Sequence, residues 1–407
     1  MKYNFDEIID RSNTNALNTD GWRSYIFGTE KDRKFLYEDD EFVRMWVADM
    51  EFATAPPILD AIRSRLNRRI LGYTGLTTDD YSDALSAWCR ERYGWDFPRE
   101  QLVITGGVIP ALYQAIEDLT EPGDKVLTLT PSYGFFAHAA DYNKTELVVS
   151  ALHNEDGYYS IDYKDLARKA ADPAVKVLIF CNPHNPTGRV WNEDELRRLA
   201  DIIVSNDLWV ISDEIHCDLV RTGITHIPLG KIMPDYPRLI TCMSASKTFN
   251  MAGMLFANAI IRDDRERRKF RSRNKLAGNL NPLSLAAHKA AYEEGGEWLR
   301  QLKEYLDENF RFVKEYFNSE LPEAVCGIPE STYLDWVDLR SCFRNAQGGF
   351  DGTNLPLFFA ENAGVLLEGG DRLFVGSAEG FVRLNLAMPR SIVATGIQRM
   401  AGAIKRR

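Results

Sequence analysis

Cysteine is scarce in this chain. Six occur in 407 residues (Cys89, Cys181, Cys217, Cys242, Cys326 and Cys342), and no two form a C-x-x-C pair. That usage argues against a disulfide framework, and the spacing matches no zinc signature, so no metal is expected. There is no excess of positive charge either. The 49 lysines and arginines are outnumbered by 59 aspartates and glutamates, for a net charge of −10. A general nucleic-acid binder carries a basic stripe, so that class of partner is disfavoured. A small anion remains possible, because a local cluster of donors can bind one on an acidic protein. No apolar run approaches the ~20 residues of a membrane span. Met1–Glu7 is polar and acidic and lacks the apolar stretch of a secretory leader. The expectation is a cytoplasmic protein with no membrane and no nucleic-acid partner. No G-x-G-x-x-G follows any expected strand, which disfavours a nicotinamide dehydrogenase. Repeats and low-complexity tracts are also absent.

What is present is ordinary globular material, 45% hydrophobic and 27% charged. The length allows two domains, or one large α/β domain with a smaller companion. The first forty or so residues are polar and turn-rich, with Asn13, Asn15, Asn18, Asp20 and Gly21 close together, and read as an arm rather than a core element. From about Val43, short apolar runs alternate with amphipathic stretches. Leu102–Thr105 reads as a strand, Gly106-Gly107 turns the chain into a helix through Leu119, and Lys125–Thr130 is strand-like. Val175–Phe180 is nearly all apolar, as expected for a strand buried on both faces. Glu193–Ser205 has helical spacing, and Leu208–Ser212 and Arg238–Met243 are further buried strands. The alternation predicts a mainly parallel sheet, with ligands at the carboxyl ends of its strands. After about Pro282 a long helical stretch, Leu283 to Phe317, is interrupted near Gly295-Gly296. Shorter strands at Thr332–Asp338 and Gly380–Leu386 follow, then a terminal helix.

Four segments at or after expected strands carry candidate chemistry. In Ser244-Ala245-Ser246-Lys247 the lysine can form an imine with an aldehyde while the hydroxyls bind a phosphate. Alone, the same run is equally a surface lysine in a serine turn. Asp213, in Ser212-Asp213-Glu214-Ile215-His216, ends a buried strand, where a carboxylate is costly unless paired. A protonated pyridine nitrogen is a suitable partner; a helix cap or a metal ligand with His216 is the alternative. Asn182-Pro183-His184-Asn185-Pro186-Thr187-Gly188 fixes a rigid loop that can present the Asn185 amide. Arg383 alternates with apolar residues in Phe381–Leu386, and its planar group matches a carboxylate. A surface arginine on an edge strand would give the same pattern.

Taken together, N-P-H-N-P-T-G, D-E-I-H and S-A-S-K-T-F-N resemble, in order and spacing, the fold-type I pyridoxal-5′-phosphate (PLP) enzymes. The resemblance to class I/II aminotransferases covers almost the whole chain. It is strongest to the cystathionine β-lyase-like carbon–sulfur lyases, through Met45–Phe52, Gly72-Tyr73-Thr74, Ser331–Trp336 and Gly380–Asn385. Ordinary aminotransferases usually have Tyr where His216 stands and Arg where Leu255 stands, so both departures favour the lyase branch. The resemblance implies an α/β fold of the aspartate-aminotransferase type, with a large domain built on a mainly parallel seven-stranded sheet and a smaller α+β domain. The expected divisions are an N-terminal arm or part of the small domain at 1–42, a PLP-binding domain at 43–282 and a small C-terminal domain at 283–407.

Site roles follow from the same resemblance. Lys247 would hold PLP as a Schiff base and later move the α-proton. Asp213 would pair with the ring nitrogen, and Tyr133 would stack on the ring. Asn185, with His216 nearby, would bond the ring oxygen. Gly107, Val108 and Ile109 would offer backbone N–H groups to the phosphate, joined by Ser244 and Ser246. Tyr73 would reach the cofactor of a neighbouring subunit, which implies a homodimer with shared sites, and Arg383 would grip the carboxylate of an amino-acid substrate. The expected reaction is cleavage of L-cystathionine or another S-substituted cysteine to pyruvate, ammonia and a thiol. An aminotransferase shares every step up to loss of the α-proton, and a regulator binding a transcription factor is the reading from another class. Two stretches depart from the lyase pattern. Ser12–Gly21 lacks the expected Gly-Thr and Lys-Trp elements, and Glu368–Phe374 is about one residue longer.

Overall fold

The computed structural model describes residues 2–274, 279–370, 373–376 and 378–407. The N-terminal stretch contains a single helical turn at Leu17–Asp20, a short helix α1 (Trp22–Phe27) and a 3-10 turn at Gly28–Glu30. Trp22, Ile26 and Phe27 are buried with Phe42, Trp46 and Leu366 in one apolar cluster. The polar, turn-rich composition concealed three core side chains spaced for a single helical turn.

Helices α2 (Pro56–Leu66) and α3 (Asp80–Tyr93) precede the first strand of the main sheet, β1 (Leu102–Thr105). Helix α4 (Val108–Leu119) follows at once, and then come β2 (Lys125–Thr130), β3 (Glu146–Ala151) and β4 (Val175–Cys181). Next are α5 (Glu193–Ser205), β5 (Trp209–Asp213), β6 (Leu239–Met243), the single turn α6 (Ala245–Thr248) and β7 (Ala257–Ile261). The seven strands lie in the order β1-β7-β6-β5-β4-β2-β3, parallel except for β7, which is antiparallel to both neighbours. Strands β5 and β6 are buried almost throughout, as sheets covered by helices on both faces require.

Helix α7 (Pro282–Glu294) packs on α2 and α3, and α8 (Gly296–Glu320) follows a break at Gly295. A Cβ at Gly295 would lie 2.4 Å from the Phe249 ring and 2.5 Å from the Ala291 carbonyl, so close packing demands glycine there. The apolar face of α8 serves two cores. Trp298, Leu299, Leu302 and Leu306 join the cluster of α3 and β1, whereas Phe310, Val313 and Phe317 join that of a second sheet. That sheet is antiparallel, β8 (Leu334–Asp338) and β9 (Glu368–Gly369) flanking β10 (Phe381–Asn385), and α9 (Arg390–Lys405) covers it. Strand β8 begins two residues later than expected because buried Thr332 has a left-handed backbone, φ 70°. We propose that the large domain passes into the small one within α8, between Leu306 and Phe310, rather than at residue 282. No helix among the described residues is long and apolar enough to cross a membrane.

Candidate active site

The carboxyl ends of β4, β5 and β6 open onto one cavity of about 300 Å³, and each end delivers one of the motif residues. After β4 the chain makes the loop Asn182–Gly188, all of it buried. Asn182 Nδ2 donates to the Ile227 carbonyl at 3.0 Å, and His184 Nδ1 lies 2.8 Å from Thr187 Oγ1. Gly188, at φ +69°, ends the loop where a Cβ would meet Pro329 at 2.3 Å. The loop is thus held on several sides, and Asn185 faces the cavity.

Asp213 is the last residue of β5 and is buried. One oxygen accepts from the Ile215 N–H at 3.1 Å, and no cation lies within ion-pair distance of it among the described residues. Burial pushes its carboxyl up to about 6, against the lowering effect of that N–H. Three residues on, His216 is buried in the same wall with no hydrogen-bond partner for Nδ1, and burial lowers it to about 3, so the ring is neutral.

Lys247 stands in α6 directly after β6. Its Nζ donates to the Ala48 carbonyl at 2.5 Å, which also accepts from Tyr333 Oη at 3.0 Å. Burial lowers the amine to about 8, with Asp49 and Asp213 opposing and Arg383 adding to the shift. The 47–52 segment carrying Ala48 is clamped from both sides. Asn250 exchanges bonds with Met50 N–H (3.1 Å), Met50 C=O (3.0 Å) and Phe52 C=O (2.8 Å). Asn385 of β10 donates to the Val47 and Asp49 carbonyls at 2.8 and 2.5 Å. Those contacts explain physically why the M-W-V-A-D-M-E-F, S-A-S-K-T-F-N and G-F-V-R-L-N segments belong to one constellation.

Arg383, from the middle of β10, enters the cavity opposite. It is buried, donates to Asn185 Oδ1 at 3.4 Å and the Trp46 carbonyl at 3.2 Å, and leaves Nε unpartnered. Gly107, Val108 and Ile109 line the cavity at the N-terminus of α4, where backbone N–H groups and the helix dipole favour an anion. Tyr133 and Ser246 line it too. Burial raises the Tyr133 phenol, keeping it neutral.

Two expected residues stand elsewhere. Ser244 does not reach the cavity: its hydroxyl donates to the Phe256 carbonyl at 2.7 Å and accepts the Ser246 N–H at 3.1 Å, so it caps the lysine turn. Tyr73 is 98% exposed and outside the cavity of its own chain. In the other direction, the sequence reading assigned no role to Tyr25, Ala48, Cys181 or Phe256, which line the cavity, as do Glu368 and Leu373 of the segment that departs from the lyase pattern.

The chemistry of this donor set suits PLP. A buried amine, a carboxylate with no ion-pair partner, an orphaned imidazole nitrogen and a helix N-terminus meet the aldehyde, ring nitrogen, ring oxygen and phosphate of that group. A metal is not suited: no group of three or more His, Cys, Asp or Glu among the described residues could hold one.

The comparisons with known proteins agree with this reading. The family model "Aminotransferase class I and II" matches residues 42–400. Cystathionine beta-lyase PatB of Bacillus subtilis is 34% identical over 98% of this chain and 100% of its own length. Protein MalY of Escherichia coli is 31% identical over 99% of each. Among solved structures, a PLP-bound C-S lyase from Staphylococcus hominis superposes with a TM-score of 0.93 at 44% identity, covering 99% of this chain and 98% of that one. Cystalysin from Treponema denticola, which contains a pyridoxal 5′-phosphate cofactor, gives 0.90 at 33% over all of both chains.

Proposed function

This chain belongs to the aminotransferase class I and II family, and we propose that within it the protein is a PLP-dependent carbon–sulfur β-lyase. Its substrates are L-cystathionine or related S-substituted L-cysteines, and its products are pyruvate, ammonia and a thiol. The observation that carries this reading is the convergence of a buried amine (Lys247), a buried carboxylate (Asp213) and a buried guanidinium (Arg383) on one cavity. The full-length likeness to carbon–sulfur lyases favours elimination over amino transfer.

When bound, PLP supplies an aldehyde that condenses with the substrate amine and a protonated ring that draws the electron pair from Cα. The protein's part begins with Arg383, which takes the substrate carboxylate on its planar group. Asp213 would keep the ring nitrogen of that group protonated, Tyr133 would cover its ring, Asn185 and His216 would serve its ring oxygen, and Gly107, Val108, Ile109 and Ser246 would hold its phosphate; all line the cavity. Lys247 takes the Cα proton on Nζ, and its lowered basicity leaves part of it unprotonated near neutral pH. The C–S bond then breaks with its electron pair going to sulfur, and the thiolate departs. The released 2-aminoacrylate reacts with water to give pyruvate and ammonia. Aligning the Cα–H bond for these steps is a positioning task shared by Arg383 and Asn185.

The same reading includes a homodimer, with Tyr73 completing the neighbour's phosphate site. Its support is an apolar run exposed on the single chain, where Leu66, Ile70, Leu71, Tyr73 and Leu76 are all more than 40% accessible. Free cysteines throughout support a reducing compartment, hence the cytoplasm. The deciding experiment is pyruvate release from L-cystathionine by the yellow holoenzyme with no keto acid added. Steady multiple turnover is expected. Conversion of the cofactor to its amine form, reversed by a keto acid, would replace the lyase by an aminotransferase.

A further inference from the structure

The segment after Met45 gives a backbone carbonyl to each cation of the active site. Trp46 O accepts from Arg383 at 3.2 Å, and Ala48 O accepts from Lys247 Nζ at 2.5 Å. The Ala48 oxygen has a second donor, the Tyr333 hydroxyl, at 3.0 Å, and among the described residues that carbonyl is the hydroxyl's one hydrogen-bond partner. Tyr333 is only 1% exposed, and burial raises its phenol, so the hydroxyl stays a neutral donor. Ala48 lines the cavity and Tyr333 does not, so Tyr333 reaches the site through that carbonyl. Its own backbone is held on both sides. The Tyr333 carbonyl accepts from the Leu386 N–H at 2.9 Å, and the Thr332 N–H donates to the Leu219 carbonyl at 2.8 Å. Thr332 has φ 70°, a strained conformation for a β-branched residue, and strain of that kind gathers at functional sites.

We propose that Tyr333 is a positioning residue for the proton transfer: its hydroxyl holds the Ala48 carbonyl, and that carbonyl steadies the Lys247 amine while it takes the Cα proton. The proposal rests on the role given to Lys247 above and names what aims it. An amine with one N–H committed to Ala48 keeps its lone pair for the substrate. When the Cα–H bond breaks, the proton goes to Nζ and the electron pair stays with carbon. The ammonium so formed is a stronger donor than the amine, so the same carbonyl stabilises the product of the transfer. A carbonyl oxygen has two lone pairs, and with Tyr333 on one of them Lys247 is confined to the other. Asn385 and Asn250 hold the peptides on either side of Ala48, but neither bonds its oxygen. Without the hydroxyl, Nζ is free to donate over either lone pair, and a misplacement of about 1 Å costs up to about 100-fold in rate.

Tyr333→Phe removes the hydroxyl and keeps the ring that packs edge-on to His216, 6.4 Å between centroids. The assay is exchange of the α-proton of L-alanine for deuterium in D2O, followed by proton NMR. Alanine has no leaving group, so exchange requires only transfer to and from Lys247. In the Tyr333→Phe holoenzyme the exchange rate at saturation is expected to fall about 10- to 100-fold. The dissociation constant of L-alanine, read from the absorbance of the bound cofactor, should stay within about twofold, because Arg383 is untouched. With L-cystathionine, kcat should fall at constant KM, and deuterium at Cα should slow the variant by a larger factor than the parent. A merely structural loss would leave that isotope ratio unmoved. Exchange within about threefold of the parent would overturn the proposal, since the hydroxyl would then not aim the amine. So would a dissociation constant that rises in step with the slowing, since the hydroxyl would then serve the substrate grip. Absence of pyruvate release from a parent enzyme that exchanges alanine would overturn the lyase reading alone, and the exchange ratio of variant to parent would still decide the role of Tyr333.

Discussion

Replacing Asp213 by Asn in a Lys247→Ala background removes the buried charge, keeps an oxygen acceptor and prevents covalent capture of the cofactor. In the unliganded chain, burial holds the Asp213 carboxyl at about 6 rather than its ordinary 3.8. A cation on the ring nitrogen favours the ionised form, so cofactor binding lowers that value. The sign follows: the contribution of the charge to affinity is complete above pH 6 and is lost as pH falls toward the liganded value. A hydrogen bond to a charged group is worth about 1.5–3 kcal/mol. At pH 8 the Asn variant should therefore bind PLP about 10- to 150-fold more weakly. By pH 5 only about a tenth of the unliganded Asp213 is ionised, so the ratio of the two dissociation constants should fall about tenfold. Equilibrium titration of the two apoproteins, followed by absorbance from pH 5 to 8, measures that ratio directly, and the cofactor's own ionisations cancel in it. A ratio below about threefold at pH 8, or one that does not decline with acid, would refute the pairing of Asp213 with the ring.

Lys247→Ala alone should retain cofactor that dialyses away, and should lower pyruvate release by about 10⁴-fold or more; normal elimination by that variant would remove Lys247 from the mechanism. Arg383→Lys keeps the charge but loses the planar pair of donors, so KM for the amino acid should rise about 10- to 100-fold, and a KM within twofold of the parent would deny the carboxylate role. Mixing Lys247→Ala with Tyr73→Ala subunits should restore activity that neither has alone, because a hybrid dimer carries one complete site; no recovery after subunit exchange would argue that sites are not shared. Glu214→Ala strips the buried His226 of its partner and leaves the Leu229 N–H unsatisfied. It should therefore lower the melting temperature by about 5 °C or more, a drop that scanning calorimetry would register or exclude.

The strand-end residues were legible because their strands are buried on both faces and interrupted by unmistakable turn chemistry. Val175–Cys181 and Trp209–Asp213 announce themselves as apolar runs, and the residues following them reach the cavity. Tyr25 was illegible for the converse reason. It sits in a six-residue helix within a polar stretch, and an element that short has no periodicity to read; Glu368, in a two-residue strand, was marked only by the departure of its segment from the lyase pattern. Ser244 is a different case. Its position in the S-x-S-K run is consistent with either phosphate binding or capping, and the structure shows its hydroxyl bonded to the Phe256 carbonyl at 2.7 Å and capping the lysine turn. Thr332 opens the expected strand 332–338, but its left-handed backbone, with its bonds to Leu219 and Leu334, delays the strand's start.

Asp213 and Lys247 line one cavity, and each is backed by a further buried acid that does not. Glu214 accepts from Ser212 Oγ at 2.8 Å and the Leu229 N–H at 3.0 Å and pairs with His226 at 2.8 Å. Asp218 accepts from Trp88 Nε1 and Thr248 Oγ1, both at 2.9 Å, and from Tyr93 Oη. Buried carboxylates are costly unless satisfied, and with three partners each these two fix the backbone beside Asp213 and beside Lys247. Arg383 is held differently. It comes from the small sheet, and its bond to Asn185, at 3.4 Å, is at the weak end of the range. A carboxylate offers that guanidinium a shorter, charge-assisted partner than an amide can. On the function proposed above, the amine and the carboxylate are therefore set before substrate arrives, and the guanidinium would gain its best acceptor only from the substrate. That reading concentrates rigidity where the proton would move and leaves the freedom where the substrate would be recognised.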